Sequence, residues 1–428
     1  MLTAVAAVLK KLAFGGSSIM ECVNNLNFAK NNKTPKVLIV GTSNSIIKNG
    51  WFESFYERYN KEFNIINLSL GACTSVYISY QISLNKRLFM EADIILIEPI
   101  VNDISYLPNK QISEGVLFTS IEYIYTFISS LGKKCFTLLL PTLKRTEFYF
   151  NNKVYLEHMK NAKKFGVYWI DLHPLFSKEI NIIEKLFLDP GHINLELAYH
   201  LGIEIGKILK TPLLEKIPPP KIQAVKYEIL CLKDESLAVK TSSKYSTTLK
   251  EVKSGFKVDI PKGYRLAGIM HWNNKNQIKV NLKAKDKIVE VELKGKYLKL
   301  TSPSELIDDS FTIDILNSES IFLSSFLLEL KSSLVDEKLY REVAEVPYTQ
   351  KIIDITLSNF FYKYLNYYKD INIKSTDPYV WVNDRSNLKD ILICKRLLNV
   401  LESTGKLNSS LEPLRKALNE EIDRFWES

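Results

Sequence analysis

The chain has 428 residues, of which 46% are hydrophobic and 25% are charged, and its formal net charge is +9. This composition is typical of a soluble globular protein and excludes an intrinsically disordered chain, and the length favours two or three domains. The lysines are scattered and form no basic run interleaved with aromatic residues, which argues against nucleic-acid binding. An anionic substrate or a membrane surface would explain the positive charge equally well.

The five cysteines are widely spaced, and no two of them form a C-x-x-C pair. This spacing argues against a disulfide framework and favours a reducing, cytoplasmic compartment. No cluster of His, Cys or Asp has the spacing of a metal site, so we expect no metal.

The amino-terminal residues read MLTAVAAVLKKLAFGG, and the two lysines come after the apolar stretch. A secretory signal carries its positive charge before the apolar core, so export is not expected. No stretch approaches the roughly 18–20 apolar residues that are needed to span a bilayer. We interpret residues 1–33 as an N-terminal helical segment. The alternative is a short helix that lies on a membrane surface or on a protein partner.

Residues 34–214 alternate short apolar runs with segments of helical spacing. The apolar runs are rich in branched residues and nearly unbroken, as strands buried on both faces of a parallel sheet are. These predicted strands lie at 36–40, 64–68, 93–98, 135–140 and 167–172. The predicted helices between and after them include 74–90, 115–132 and 194–209. The alternation predicts a three-layer α/β domain with a parallel sheet.

A proline-rich stretch, EKIPPPKIQ at 215–223, marks a domain boundary, because three successive prolines cannot continue a helix or enter a central strand. Residues 222–333 then alternate polar and apolar side chains between turn residues, which predicts an antiparallel, β-sandwich-like domain. Residues 336–428 return to helical spacing and are predicted to form a helical region.

Polar clusters follow the predicted strands and precede the last helix of the α/β domain. In chain order they are GTSNS at 41–45, NLSLGACTS at 67–75, ND at 102–103 and DPGH at 189–192. Because the carboxyl ends of parallel strands meet at one edge of a sheet, we expect these clusters to converge. A nucleophilic serine needs a base, an acid that orients the base and donors for the oxyanion, and the clusters contain all of these groups.

The order Ser, Gly, Asn and then Asp-x-x-His resembles the SGNH or GDSL-type hydrolase superfamily over roughly residues 34–210. The resemblance implies a flavodoxin-like, three-layer fold. Two positions depart from the family pattern: Thr42 stands where an aspartate usually precedes the serine, and Ile100 stands where a glycine usually precedes the asparagine by two residues. The branched side chain of Ile100 is expected to narrow or reshape the substrate pocket.

The resemblance also implies a role for each matching residue. Ser43 would be the nucleophile, His192 the general base and Asp189 the acid that orients and stabilises the imidazole. The oxyanion hole would consist of the backbone N–H groups of Ser43 and Gly71 and the side-chain amide of Asn102.

Two further residues compete for these roles, and each motif also has an ordinary structural explanation. Ser45 shares the first turn, although Ser43 holds the family position. His173 also follows a predicted strand, but it has no acid three residues before it. Taken singly, Ser43 would be a turn or cap residue, and Asp171 a structural acid at the end of a strand.

Ser–His–Asp chemistry with an oxyanion hole transfers acyl groups to water or to an alcohol. By fold-level analogy, the β domain could present a sugar-binding face, with MHWNN at 270–274 supplying aromatic stacking. A module for interaction or dimerisation is the alternative for this domain. We therefore predict an esterase or O-deacetylase that acts on an acylated saccharide or polysaccharide and needs no cofactor.

Three other functions fit the same sequence. An O-acetyltransferase in polysaccharide modification would use the same residues and an acyl donor such as acetyl-CoA. A lipid esterase would need a wide apolar pocket. A non-catalytic scaffold in polysaccharide assembly would use the β and helical regions for partners, and Ser43→Ala would leave its cellular phenotype unchanged.

Overall fold

The structure is a computed structural model that describes residues 34–143, 149–211, 227–232, 237–241, 246–273, 277–294, 297–305, 307–330 and 348–373. The predicted segment 1–33 and most of the predicted helical region 336–428 lie outside the described residues. The chain divides into two compact units, residues 1–358 and 359–428. Both the α/β region and the β region belong to the first unit.

The α/β region contains, in its described residues, a sheet of five parallel strands in the order β2-β1-β3-β4-β5. The strands are β1 (Lys36–Gly41), β2 (Asn64–Asn67), β3 (Ile94–Glu98), β4 (Lys134–Leu139) and β5 (Tyr168–Asp171). Every residue of β3 is buried, which explains why its first four residues are all apolar. The strand order is that of flavodoxin-like folds, and it confirms the predicted three-layer architecture.

The helices of this region connect and follow the strands. They are α1 (Trp51–Tyr59), α2 (Ser75–Leu84), α3 (Lys86–Glu91), α4 (Ile100–Tyr106), α5 (Glu114–Ser130), α6 (Lys153–Phe165), α7 (His173–Phe176) and α8 (Leu195–Lys210). The single helix predicted over 74–90 is two helices, because Asn85 lies between them with φ −118° and ψ 33°, outside the helical region. A short hairpin of β6 (Phe187–Asp189) and β7 (His192–Ile193) precedes α8.

The β region is antiparallel, as predicted, and forms two sheets in its described residues. One sheet has the order β15-β12-β17-β10-β9, with β8 also paired to β17, and the other has the order β11-β16-β13-β14. The strands are β8 (Tyr227–Cys231), β9 (Leu237–Thr241), β10 (Ser246–Lys253), β11 (Phe256–Val258), β12 (Tyr264–Asn273), β13 (Gln277–Ala284), β14 (Lys287–Lys294), β15 (Tyr297–Thr301), β16 (Phe311–Ile315) and β17 (Ser320–Leu330). Buried apolar side chains of both sheets form one core, as in a sandwich.

The two regions of the first unit meet through buried hydroxyl groups. The Tyr80 hydroxyl lies 2.9 Å from Ser325 Oγ, and the Ser120 hydroxyl lies 2.9 Å from the Tyr227 hydroxyl. The Tyr227 ring also packs against Tyr123, with 4.8 Å between the ring centroids. Because each buried hydroxyl has a partner, this contact buries aromatic surface without leaving these polar groups unsatisfied.

The helix α9 (Tyr348–Ile373) begins beside β5. Trp169 N–H donates to Gln350 Oε1 at 2.9 Å, and Gln350 Nε2 donates to the Trp169 carbonyl at 2.8 Å. The Gln350 side chain therefore bonds to β5 as a further strand would, which blocks that edge of the sheet. Among the described helices, none is long and apolar enough to cross a membrane.

Candidate active site

The first polar cluster forms a tight turn at the carboxyl end of β1. The strand ends at Gly41, and residues Ser43–Ser45 form a single 3₁₀ turn. A Cβ atom on Gly41 would lie 2.8 Å from Glu98 Cβ and closer still to Ser45 Oγ, so a larger residue does not fit. The absence of a side chain at Gly41 thus allows the strand to turn sharply and places Ser43 at the edge of the sheet.

Ser43, His192 and Asp189 form a continuous chain of hydrogen bonds. The distance from His192 Nε2 to Ser43 Oγ is 2.8 Å, and His192 Nδ1 lies 2.8 Å from Asp189 Oδ2 and 2.9 Å from Asp189 Oδ1. The carboxylate accepts from Nδ1–H, which leaves Nε2 free to accept the Ser43 proton. The His192 and Asp189 side chains are 23% and 46% exposed, so water can reach this group.

Backbone N–H groups of the hairpin β6–β7 hold the Asp189 side chain in place. Asp189 Oδ1 accepts hydrogen bonds from the N–H groups of Gly191 at 2.8 Å and His192 at 3.0 Å. Partial burial works to raise the pKa of Asp189, but the bonds from Gly191 and His192 outweigh it and bring the pKa below its usual value. Asn44 Nδ2 donates to the Gly191 carbonyl at 3.0 Å, which ties the hairpin to the Ser43 turn.

The predicted oxyanion donors lie beside Ser43. A Cβ atom on Gly71 would lie 3.8 Å from Ser43 Cβ, so the two backbones are adjacent. Among the described residues, neither the Ser43 N–H nor the Gly71 N–H donates to another protein group. Asn102, in the first turn of α4, uses one amide hydrogen on the Cys73 carbonyl at 2.9 Å, and its second hydrogen remains available. The same edge of the sheet therefore offers all three predicted donor groups.

The segment Gly71–Cys73, here called the 71–73 loop, is held through three successive carbonyl groups. The Gly71 carbonyl accepts from Lys299 Nζ, the Ala72 carbonyl from the Tyr106 hydroxyl at 3.2 Å, and the Cys73 carbonyl from Asn102. Ala72 has φ 54°, in the left-handed region that non-glycine residues rarely occupy. These three bonds maintain a strained loop. One of the donors, Lys299, lies in β15 of the β region, and nothing near it in sequence indicates this contact.

A fully buried carboxylate, Glu98 at the end of β3, lies under the Ser43 turn. Its Oε2 accepts from the Thr42 N–H at 2.9 Å, the Thr42 hydroxyl at 2.9 Å and the Ser45 hydroxyl at 3.0 Å. Thr42 is the position where the family usually has aspartate, and an aspartate there would face Glu98. The signal in the sequence was an acidic residue that ends an otherwise apolar strand.

Glu98 is expected to make stability depend on pH. Burial raises its pKa from 4.5 to about 7 against the opposing bonds from Thr42 and Ser45, and Asp103 raises it further. Between pH 5 and about pH 7 the folded protein keeps most of a proton that the unfolded chain has lost. The free energy of unfolding should therefore fall by roughly 2 kcal/mol as the pH rises from 5 to 7.5.

Urea unfolding of the wild type and of Glu98→Gln at pH 5 and pH 7.5 checks this expectation. The variant should lack this contribution, so the two proteins should differ in the pH dependence of their unfolding free energy. The exposed Glu319→Gln is the matched control and should behave as the wild type does. Parallel pH dependence in Glu98→Gln and the wild type would contradict the raised pKa.

The two competing residues have other partners. Ser45 is buried and its hydroxyl donates to Glu98, so it does not face His192. His173 has no acid three residues before it, as expected, but its Nδ1 lies 2.9 Å from Oδ1 of Asp171, two residues before it. His173 is only 1% exposed, and Tyr155 donates to the other oxygen of Asp171 at 2.7 Å. Within the described ranges, no three His, Cys, Asp or Glu side chains are grouped as they would be around a metal ion.

Two expectations about the substrate surface are corrected. Trp272 cannot offer a stacking face, because its ring is 3% exposed and packs edge-on against Tyr297. His271 beside it is fully buried and bonds to Thr301 at 2.8 Å. Ile100 is also fully buried at the start of α4, so its side chain does not narrow an open pocket as expected.

No protein-family model matches the chain, and no curated protein sequence matches it. Solved structures that resemble it include the acetyl xylan esterase AlAXEase, at 14% identity and a TM-score of 0.35, covering 40% of this chain and 98% of that one. The acetylxylan esterase Axe2 from Geobacillus stearothermophilus matches at 12% identity and a TM-score of 0.34, covering 41% and 93%. TesA matches at 17% identity and a TM-score of 0.31, covering 41% and 98%.

The topology of the chain itself agrees with the resemblance seen in its sequence. The parallel sheet has the order 2-1-3-4-5, and the Ser, Gly, Asn and Asp-x-x-His blocks follow β1, β2 and β3 and precede α8. These are the positions that the SGNH pattern requires. In its described residues, the chain from residue 34 to residue 211 therefore has the flavodoxin-like, three-layer fold that the sequence resemblance implies.

Proposed function

We propose that this protein is a serine-dependent acyl-ester enzyme, an esterase or O-deacetylase, whose substrate is an acylated saccharide. The observation that supports it most directly is the hydrogen bond of 2.8 Å between Ser43 Oγ and His192 Nε2, with Asp189 bonded to the opposite ring nitrogen. This is the arrangement in which a histidine can accept a serine proton while a carboxylate stabilises the resulting imidazolium.

In the first half of the reaction, Ser43 Oγ attacks the acyl carbon of the ester as its proton passes to His192 Nε2. The electron pair of the carbonyl double bond moves onto the oxygen and gives a tetrahedral oxyanion. When that intermediate collapses, the bond to the alcohol oxygen breaks and His192 gives its proton to the departing alcohol. The product is an acyl ester on Ser43.

In the second half, water attacks the acyl carbon and loses a proton to His192. A second tetrahedral oxyanion forms, and its collapse breaks the bond to Ser43 Oγ, which recovers a proton from His192 as the carboxylic acid leaves. The partial exposure of His192 and Asp189 means that water can reach the base, as this step requires.

The charge on both intermediates needs donors that are already in position. The backbone N–H groups of Ser43 and Gly71 and the second amide hydrogen of Asn102 are assigned this task. The 71–73 loop, held through its three carbonyls, keeps the Gly71 N–H fixed as charge develops. Donors that do not have to reorganise during the reaction stabilise the transition state more effectively.

The proposal is tested by the intact mass of the purified protein, quenched early in its reaction with 4-nitrophenyl acetate. Wild type is expected to carry one acetyl group, and Ser43→Ala none. Ser45→Ala is the matched control and should still be acetylated, because Ser45 faces Glu98 instead of His192. Equal acetylation of wild type and Ser43→Ala would contradict the assignment. No adduct and no turnover with any of a series of acyl chain lengths would favour the scaffold function.

A further inference from the structure

A cleft of about 320 Å³ opens between the α/β region and the β region, beside Ala72 of the 71–73 loop. One wall consists of Ala72, Thr74, Tyr106 at the end of α4 and residues 109–112 after that helix. The opposite wall consists of β14, β15 and the turn that follows β15. Its volume lies at the lower end of the range of about 300–1,000 Å³ that is typical of small-molecule sites.

The side chains that line this cleft are mainly polar and of mixed type. Amide, hydroxyl and charged groups that face it include Asn109, Gln111, Glu290, Lys294, Thr301 and Ser304. The lining has three lysines and two glutamates, so its charge is nearly balanced. Such a surface offers many hydrogen-bond donors and acceptors beside apolar patches of similar extent, but no strong field for an anion. A ligand with many hydroxyl groups and no charge matches it best.

The 71–73 loop connects the cleft to the proposed reaction centre. Gly71 supplies an N–H beside Ser43, and the next residue, Ala72, lines the cleft. Lys299 and Tyr106, which hold the carbonyls of this loop, also line the cleft. A Cβ atom on Gly71 would lie 3.8 Å from Ser43 Cβ and 3.9 Å from Lys299 Nζ, so the loop contacts both the proposed nucleophile and a wall of the cleft.

We propose that this cleft binds the saccharide portion of the ester substrate, and that the β region contributes one of its walls. That the bound saccharide ester is then cleaved rests on the proposed function. That the cleft binds a saccharide does not depend on the proposed function. It assigns the β region a role in substrate recognition that differs from a separate sugar-binding face around Trp272, which is buried.

The test compares two types of substrate in the full-length protein. The first type is 4-nitrophenyl acetate, whose leaving group does not need the cleft. The second type consists of partially O-acetylated xylo-, gluco- and galacto-oligosaccharides, assayed by acetate release. Ser304→Trp places a bulky side chain at the exposed rim of the cleft. It is expected to lower kcat/KM for the sugar esters by at least about tenfold and to leave the aryl ester within about twofold. Ser254→Trp, an exposed serine of the β region outside the cleft, is the matched control and should change neither.

Several outcomes overturn the inference. Equal losses on both substrate types in Ser304→Trp would mean that the substitution disturbs the 71–73 loop instead of blocking a sugar site. If Ser304→Trp loses activity on neither substrate type, the cleft does not bind the saccharide. The same conclusion follows if the wild type turns over the aryl ester but none of the sugar esters. If even the aryl ester is not turned over, the proposed function fails. In that case, calorimetric titration of the unacetylated oligosaccharides into Ser43→Ala, and into the double variant Ser43→Ala/Ser304→Trp, tests whether the cleft binds saccharide. Binding to Ser43→Ala that is lost in the double variant supports the inference. Absence of binding to Ser43→Ala contradicts it.

Discussion

Replacing His192 with alanine is expected to lower kcat/KM for 4-nitrophenyl acetate by about 10³-fold or more, because among the described residues no other base lies in hydrogen-bonding distance of Ser43 Oγ. The activity that remains would come from the oxyanion donors, which the substitution does not touch. Since His192 is partly exposed and bonds only within the hairpin and to Ser43, the free energy of unfolding should change by less than about 1 kcal/mol. Steady-state kinetics and urea unfolding on the same preparation measure both quantities.

His173→Ala is the matched control, because this histidine is also paired with an aspartate. It is 1% exposed and packs against the Tyr155 ring, so its removal should cost about 2 kcal/mol of stability while the folded fraction keeps its kcat. The two histidines should therefore show opposite patterns. A large kinetic loss in His173→Ala with a normal rate in His192→Ala would reverse the assignment of the base.

Asn102→Ala is expected to lower kcat by about 10²- to 10³-fold with a much smaller change in KM, which is the usual cost of removing one side-chain donor from an oxyanion hole. The interaction is made with charge that develops in the transition state, so the loss should fall on kcat. The variant also loses the bond to the Cys73 carbonyl, which should cost about 1 kcal/mol of stability.

Tyr106→Phe separates the two roles of Asn102, because Tyr106 also bonds to the 71–73 loop but lies one turn further along α4. It removes one loop contact and no proposed oxyanion donor. If Asn102 acts on the oxyanion, Tyr106→Phe should lose less than about tenfold in kcat, far less than Asn102→Ala. Similar losses in both variants would indicate that Asn102 only positions the loop.

The parts of the fold that could be predicted are those with a local signature. The parallel strands β1, β3 and β4 are short, largely apolar runs because both faces are buried. The serine turn and the Asp-x-x-His hairpin are each complete within a few residues. The order of these blocks was enough to expect that they meet.

The features that could not be predicted depend on contacts between distant parts of the chain. Lys299 reaches Gly71 from a strand 228 residues away, and Glu98 contacts Thr42 only because β3 lies beside β1. For the same reason, the sequence around Trp272 was misleading. Alternation places its side chain on one face of β12, but β12 lies between β15 and β17 and almost all of its residues are buried. Burial on both faces is decided by the packing of the whole sheet.

The bond between Lys299 and the Gly71 carbonyl bears on whether the two regions are modular. A fragment that ended after α8 would keep its sheet, its serine turn and its hairpin, but the 71–73 loop would retain only two of its three donors. Ala72 would then be free to relax from its left-handed conformation, and the Gly71 amide would turn with it. The β region is in this sense a structural part of the site. A small displacement of β15 would move Lys299, and through it the 71–73 loop beside Ser43.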